Sequence, residues 1–205
     1  MGTIAVFRAG TRRALDGQEY TLTPDDCAGV AAQSTEKTVG DPNRHFSVVA
    51  DAGPLIALAR IGRHDLLARL YGSVVVPTAV MEELQLDSGR PGARALGVAL
   101  TAGWLEVMAA PTDTFGLKRL LNPGEAEAIL LAEKIACRVL LIDERRGRVI
   151  ARRQGIPVVG IGGFLITAKR RGVIESVTTE LEHLTENGYR LAPVLVKEIR
   201  RLAGE

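Results

Sequence analysis

Cysteine, histidine and aromatic residues are scarce in this 205-residue chain, and each scarcity argues against a class of site. The two cysteines, Cys27 and Cys137, and the three histidines have no spacing typical of a zinc site or a disulfide framework. Aromatic residues make up 4% of the chain, which argues against a surface that binds nucleic acid mainly by base stacking. The sequence therefore favours neither a zinc site nor an extensive base-stacking surface.

A large excess of one charge and a long apolar run are missing as well. The net charge is +2, so the total charge does not mark a nucleic-acid binder, although a local basic patch is compatible with it. The most apolar stretch, residues 155–168, is too short to span a bilayer and contains glycines and a proline. The first residues lack the apolar core of a signal peptide. We therefore expect a soluble, cytoplasmic protein.

The chain divides into two parts of different composition. Residues 1–45 are polar, prone to turns and weakly periodic, which predicts a loosely ordered N-terminal extension. From residue 46 to residue 205, short apolar runs alternate with helical patterns. Apolar residues make up 46% of the chain, enough to bury a sizeable core. We expect one folded domain over 46–205.

The alternation within 46–205 predicts an α/β fold. Parallel strands joined by helices bury both faces of a sheet, so we expect a three-layer α/β/α sandwich with a central, mostly parallel sheet of four to five strands. Ligand sites in such folds form beyond the carboxyl ends of the strands. The predicted strands are FSVVA (46–50), SVVVP (73–77), WLEVM (104–108), CRVLLI (137–142) and IPVVG (156–160).

Two acidic residues directly follow predicted strands. Asp51 comes after FSVVA, and Asp143 comes after CRVLLI. Carboxylates at the ends of two parallel strands can converge on one crevice. The alternative interpretation is that each aspartate is the N-cap of the next helix, a position where Asp is favoured.

Helical wheels single out two further acids. In TAVMEELQL, Glu83 falls inside the apolar arc and Glu82 on the polar side. In GEAEAILLAEKIA, Glu125 falls inside the apolar arc, whereas Glu127 lies on the polar side. The alternatives are a first-turn acid that complements the helix dipole, for Glu125, and a residue at the edge of the apolar stripe, for Glu83.

Together these acids predict a metal centre. Burying a carboxylate is unfavourable unless it is paired or binds a metal, and no Arg or Lys falls on the inward faces beside these residues. Mg²⁺ and Mn²⁺ prefer hard oxygen ligands, and such ions activate water for attack on phosphodiesters. The predicted catalytic and metal-binding residues are Asp51, Glu83, Glu125 and Asp143.

The same segments resemble the PIN-domain (PIN-like) ribonuclease family, in particular its toxin branch from toxin–antitoxin pairs. The resemblance implies a small α/β/α nuclease that cleaves RNA internally with Mg²⁺ or Mn²⁺. It also implies a cognate antitoxin and a homodimer. The segments that carry it are VVADAGPLIALA, VVVPTAVMEEL, PGEAEAILLA and LLIDERRGRVIARRQGIPVVGIGGFLITAKRRGVI.

The sequence departs from the family pattern at the third and fourth acids. Glu125 stands where many relatives have Asp, and Glu144 competes with Asp143 as the fourth acid. Leu141 replaces the Thr or Ser that commonly precedes the last acid by two residues, so a residue that helps to position the metal in this family is missing. A PIN-like module that binds RNA or protein with weak or no catalysis therefore stays an alternative.

Basic residues follow the last predicted acid. They fit either contacts with RNA phosphates beside the acids or a solvated basic face. The GIGG run after the last predicted strand lacks the third glycine of a dinucleotide-binding loop, and we interpret it as a strand-to-helix turn. The basic residues are Arg145, Arg146, Arg148, Arg152, Arg153, Lys169, Arg170 and Arg171.

Overall fold

The computed structural model describes residues 11–13, 19–21 and 48–205. Two short strands, Thr11–Arg13 (β1) and Glu19–Thr21 (β2), pair antiparallel. The rest of the predicted N-terminal extension lies outside the described residues, so its loose order stays a prediction.

A five-stranded sheet forms the centre of the part from residue 48 onward. Every neighbouring pair of its strands is parallel, in the spatial order β5-β4-β3-β6-β7. Each predicted strand falls on one of these strands, although the observed strands are shorter at their ends. The five are β3 (Val48–Ala50), β4 (Val74–Val76), β5 (Leu105–Val107), β6 (Val139–Leu141) and β7 (Val158–Val159).

Helices connect the strands and cover both faces of the sheet. They are α1 (Ala52–Arg60), α2 (Asp65–Tyr71), α3 (Thr78–Leu84), α4 (Ala93–Thr101), a 3₁₀ turn (Leu117–Arg119), α5 (Pro123–Lys134), α6 (Arg145–Arg153), α7 (Ile161–Arg170), α8 (Val177–Glu186) and α9 (Pro193–Ala203). Within the described residues, none of these helices combines the length and apolar character needed to cross a membrane.

Side chains that alternate along the strands build two separate cores. Val48 and Ala50 join the core beneath α1, α2, α4, α7 and α8, whereas Val49 joins the core beneath α5 and α6. This period of two is the expected consequence of strand geometry. The predicted three-layer α/β/α sandwich is confirmed.

The strand order places a topological switch point between β3 and β6. From β3 the chain moves outward through β4 to β5, and it then returns to the other side of β3 with β6 and β7. Ala50 is in register with Leu141, and the Asp51 amide donates a hydrogen bond to the Leu141 carbonyl at 2.9 Å. The loops that follow β3 and β6 therefore begin side by side, which is where open α/β sheets form ligand sites.

Candidate active site

An open pocket of about 420 Å³ lies beyond the carboxyl ends of β3 and β6. Its wall contains all four predicted acids, which come from four different parts of the chain. The residues that line it are Asp51, Gly53, Glu83, Asn122, Glu125, Asp143, Glu144, Arg148, Tyr189, Arg190, Leu191, Ala192 and Leu195.

Asp51 is the buried acid at the centre of this wall. It occupies the N-cap position of α1, but its side chain makes no capping hydrogen bond, so capping does not account for it. Only 7% of the residue is exposed. Burial raises the pKa of Asp51 from 3.8 to about 7, although an interaction with the Ala52 amide opposes the rise. The charges of Glu125, Glu83 and Asp143 add smaller increases to this pKa. The carboxylate is held where its negative charge is poorly solvated.

Glu125 is the second buried acid, and it also takes part in helix capping. Asn122 is the N-cap of α5: its Oδ1 accepts the Glu125 amide at 2.8 Å, and its Nδ2 donates to Glu125 Oε1 at 2.7 Å. Burial raises the pKa of Glu125, and the nearby charges of Glu144 and Glu83 act in the same direction. The wheel prediction of an inward Glu125 is confirmed, and the first-turn interpretation applies as well.

Glu83 reaches the pocket from the last turn of α3, but it is exposed to solvent rather than buried. The wheel predicted that Glu83 is buried on the apolar side of its helix, and this prediction is wrong. Only Val80 and Leu84 of this short helix enter the core.

Gly124 permits the close approach of α3 to α5. A Cβ at that position would lie 2.9 Å from Glu83 Oε2 and 3.3 Å from Val80 Cγ2.

The structure gives Asp143 and Glu144 different surroundings. Glu144 is the N-cap of α6 and accepts the Arg146 amide at 3.2 Å. Asp143 therefore does not cap α6 and turns to the start of α7, where its Oδ1 accepts the Ile161 amide at 2.8 Å. Its Oδ2 accepts a hydrogen bond from the Tyr189 hydroxyl. Burial raises the pKa of Asp143, although these hydrogen bonds and the charge of Arg148 oppose the shift.

Two cations line the same pocket, which corrects the expectation that no Arg or Lys lies beside the acids. Arg148 comes from α6, and Arg190 comes from the α8–α9 turn. Gly160 makes room between Arg148 and Asp143, because a Cβ there would lie 2.8 Å from Arg148 Nη1 and 2.8 Å from Asp143 Oδ1. Within residues 48–205, neither cation forms an ion pair with any of the four acids.

Glu127 differs from the predicted solvated acid. It lies on the face of α5 that packs against α3, where it accepts the Ala79 amide at 3.0 Å and Lys118 Nζ at 2.8 Å. Burial alone would raise its pKa, but these two hydrogen bonds outweigh burial and lower it. Glu127 is thus a structural tie between helices and not a member of the pocket.

Sequence reasoning missed Asn122 and Tyr189. Asn122 has a local signal, since Asn followed by Pro is a common way to begin a helix. Tyr189 has none, because it is 46 residues from Asp143 in the chain and meets it only in the folded protein.

The carboxylate chemistry fits a hard divalent cation. Binding such an ion would relieve the repulsion that helps to raise the Asp51 pKa. In the present side-chain arrangement, however, no three His, Cys, Asp or Glu residues of the described chain are grouped so that they could hold a metal. Glu125 and Asp143 have their oxygens turned toward protein donors.

Comparison with protein families identifies the domain. A family model described as a PIN domain matches residues 47–205. The chain belongs to the PIN domain family. PIN domains generally have nuclease activity and generally use divalent metal ions. The acids of the pocket thus lie in a fold that commonly supports phosphodiester hydrolysis.

Similarity to individual proteins is low. No curated protein matches this PIN domain. Among solved structures, a PilT N-terminus domain protein from the hyperthermophilic archaeon Sulfolobus solfataricus P2 matches with 15% identity and a TM-score of 0.38. The match covers 71% of this chain and 97% of that chain.

Proposed function

We propose that this PIN domain is a divalent-metal-dependent endoribonuclease. The residues that would hold Mg²⁺ or Mn²⁺ are Asp51, Glu83, Glu125 and Asp143. The observation that carries the proposal is their convergence: acids that follow two strands and lie on two helices line one pocket at the switch point of the sheet. When bound, the cation would supply an activated water molecule and stabilise charge on the phosphodiester.

The chain's own residues suit a phosphodiester substrate. Arg148 and Arg190 place positive charge in the same pocket as the acids. Guanidinium groups recognise phosphate oxygens through paired hydrogen bonds, so these two residues would hold the RNA backbone beside the carboxylates. Leu191, Ala192 and Leu195 form an apolar side of the pocket.

The test compares two adjacent glutamates of one helix. Purified protein is incubated with a labelled RNA in two reactions, one that contains Mn²⁺ and one that contains EDTA. We expect cleavage with Mn²⁺ and none with EDTA. Glu83→Gln and Asp51→Asn should each lose on the order of 100-fold in rate, the size typical for removing one group that stabilises charge.

Glu82→Gln is the matched control, because Glu82 is exposed and lies outside the pocket. It should cleave like the wild type. Equal cleavage by the wild type, Asp51→Asn and the EDTA-treated protein would overturn the proposal.

A binding module without catalysis is the second candidate. The observation that favours it is that no three His, Cys, Asp or Glu side chains of the described residues form a ready group of metal ligands. Titration calorimetry with Mn²⁺ separates the two functions. A binding module takes up no metal through Asp51, whereas the nuclease binds metal and loses it in Asp51→Asn.

We further propose that the protein acts in the cytoplasm as the toxin of a toxin–antitoxin pair, as a homodimer with a cognate antitoxin. The resemblance to the toxin branch of the family supports this. Light scattering would show twice the chain mass of 21.9 kDa for a homodimer. An antitoxin encoded by a neighbouring gene should co-purify with the protein and suppress its RNA cleavage.

A further inference from the structure

The turn between α8 and α9 contributes four consecutive residues to the pocket. They are Tyr189, Arg190, Leu191 and Ala192. None of the motifs that mark the acids lies in this turn, yet its residues form one side of the candidate active site. The C-terminal helices therefore contribute to the site as well as to the core.

The Tyr189 hydroxyl contacts one of the proposed metal ligands directly. It donates a hydrogen bond to Asp143 Oδ2, while the Ile161 amide occupies Asp143 Oδ1. With both oxygens engaged, the carboxylate plane cannot rotate without breaking a hydrogen bond. Among residues 48–205, no other side chain donates a hydrogen bond to Asp143.

The residues close to Asp143 in the chain do not orient its carboxylate. Leu141, two residues earlier, has an apolar side chain that is fully buried in the core. The next residue, Glu144, is engaged in capping α6. The hydrogen bonds that hold Asp143 thus come from the Ile161 amide and from a hydroxyl 46 residues away in the chain, and Arg148 adds a nearby positive charge.

The backbone of the turn and packing against the core hold Tyr189 independently of its hydrogen bond to Asp143. Gly188 has a φ of +83°, and the Tyr189 amide then donates to the Leu184 carbonyl at 2.9 Å, which ends α8. Removing only the hydroxyl should therefore leave the ring and the turn in place. The effect of the hydroxyl on Asp143 can be measured separately from the effect of the ring on folding.

We propose that Tyr189 is a positioning residue of the active site, whose hydroxyl fixes the orientation of the Asp143 carboxylate beside Asp51. The inference rests on the proposed function, since it assigns Tyr189 a role toward a metal ligand. Hydrogen-bond partners of metal ligands typically contribute about 10–100-fold to metal affinity. In this role the Tyr189 hydroxyl acts through Asp143.

The test measures Mn²⁺ affinity in the absence of RNA, by calorimetry and by the electron paramagnetic resonance signal of free Mn²⁺. Tyr189→Phe should bind Mn²⁺ about tenfold more weakly than the wild type. Tyr71→Phe is the control, because Tyr71 packs against Phe164 in the core and lies outside the pocket. It should keep the affinity of the wild type.

Thermal unfolding in EDTA accompanies each titration. A purely structural tyrosine would lower the unfolding temperature of Tyr189→Phe and leave its Mn²⁺ affinity unchanged, and an unchanged affinity overturns the inference. An equal loss of affinity in Tyr71→Phe overturns it too. If the wild type binds no Mn²⁺, the proposed function and the inference both fail. If the wild type and Tyr189→Phe bind Mn²⁺ equally tightly, only the inference fails.

Discussion

At the scale of single residues, burial and neighbouring charges together change the proton affinity of Asp51. Its pKa rises to about 7 because the carboxyl group is buried and three other acids lie near it. A carboxyl group with a raised pKa binds its proton more tightly in the folded state than in the unfolded state. Asp51 therefore favours the folded state at low pH, and this contribution is lost as the pH rises from about 4 toward 7.

This shift predicts that Asp51→Asn stabilises the metal-free protein at pH 8. The asparagine carries no charge, so it avoids the unfavourable burial of a carboxylate. The gain in the free energy of unfolding should be on the order of a few kcal/mol at pH 8 and vanish near pH 4. Urea unfolding in EDTA at both pH values measures it, and a variant less stable than the wild type at pH 8 would contradict the interpretation.

At the scale of elements, the contact between α3 and α5 sets the spacing of Glu83 and Glu125. Gly124 lets the helices approach, and Glu127 ties them by accepting the Ala79 amide at the start of α3. That amide has no partner within its own helix, so the carboxylate acts as an N-terminal cap supplied from another element. The rim of the pocket depends on this junction.

We predict that Glu127→Ala lowers the free energy of unfolding by about 1–2 kcal/mol, the typical value of a lost cap. Glu133→Ala, at an exposed position of the same helix, controls for helix propensity and should change stability little. Chemical denaturation of both variants gives the comparison. Equal free energies of unfolding for Glu127→Ala and Glu133→Ala would show that the contacts of Glu127 with Ala79 and Lys118 do not stabilise the fold.

At the scale of the whole molecule, Glu205 ties the last helix to α7 and α8. Its carboxylate accepts Lys169 Nζ at 2.6 Å and the amides of Val177 and Thr178 at 2.8 and 2.7 Å. Burial would raise the pKa of Glu205, but these hydrogen bonds hold it well below its usual range. Because α8 and α9 carry the turn with Tyr189, this tie also helps to hold one side of the pocket.

Glu205→Ala should therefore lower the unfolding temperature at pH 7 by a few degrees, as expected for a loss of about 1–2 kcal/mol. The folded-state pKa is depressed, so the contribution is present above the ordinary value of 4.5 and is lost as the pH falls further. The unfolding temperatures of the wild type and the variant should therefore become equal at acidic pH. Glu175→Ala, at an exposed residue nearby, should match the wild type at every pH.

Local patterns determined much of the fold and part of the site. Apolar runs with alternating helices predicted all five parallel strands, and the position of Asp51 and Asp143 after two of them predicted a shared crevice. Glu125 could be placed from its wheel position, because its helix is long and packs along most of its length. These features depend on residues within a few turns of one another, which a single sequence displays.

Tertiary structure alone decided the remaining features of the pocket. It separated Asp143 from the capping residue Glu144, exposed Glu83, gave Glu127 a partner 48 residues away and brought Tyr189 to Asp143. Each of these outcomes depends on which helix ends meet at the edge of the sheet. The strand order determines which helix ends are in contact. Hydrogen bonds between distant segments leave no periodic signal in the sequence.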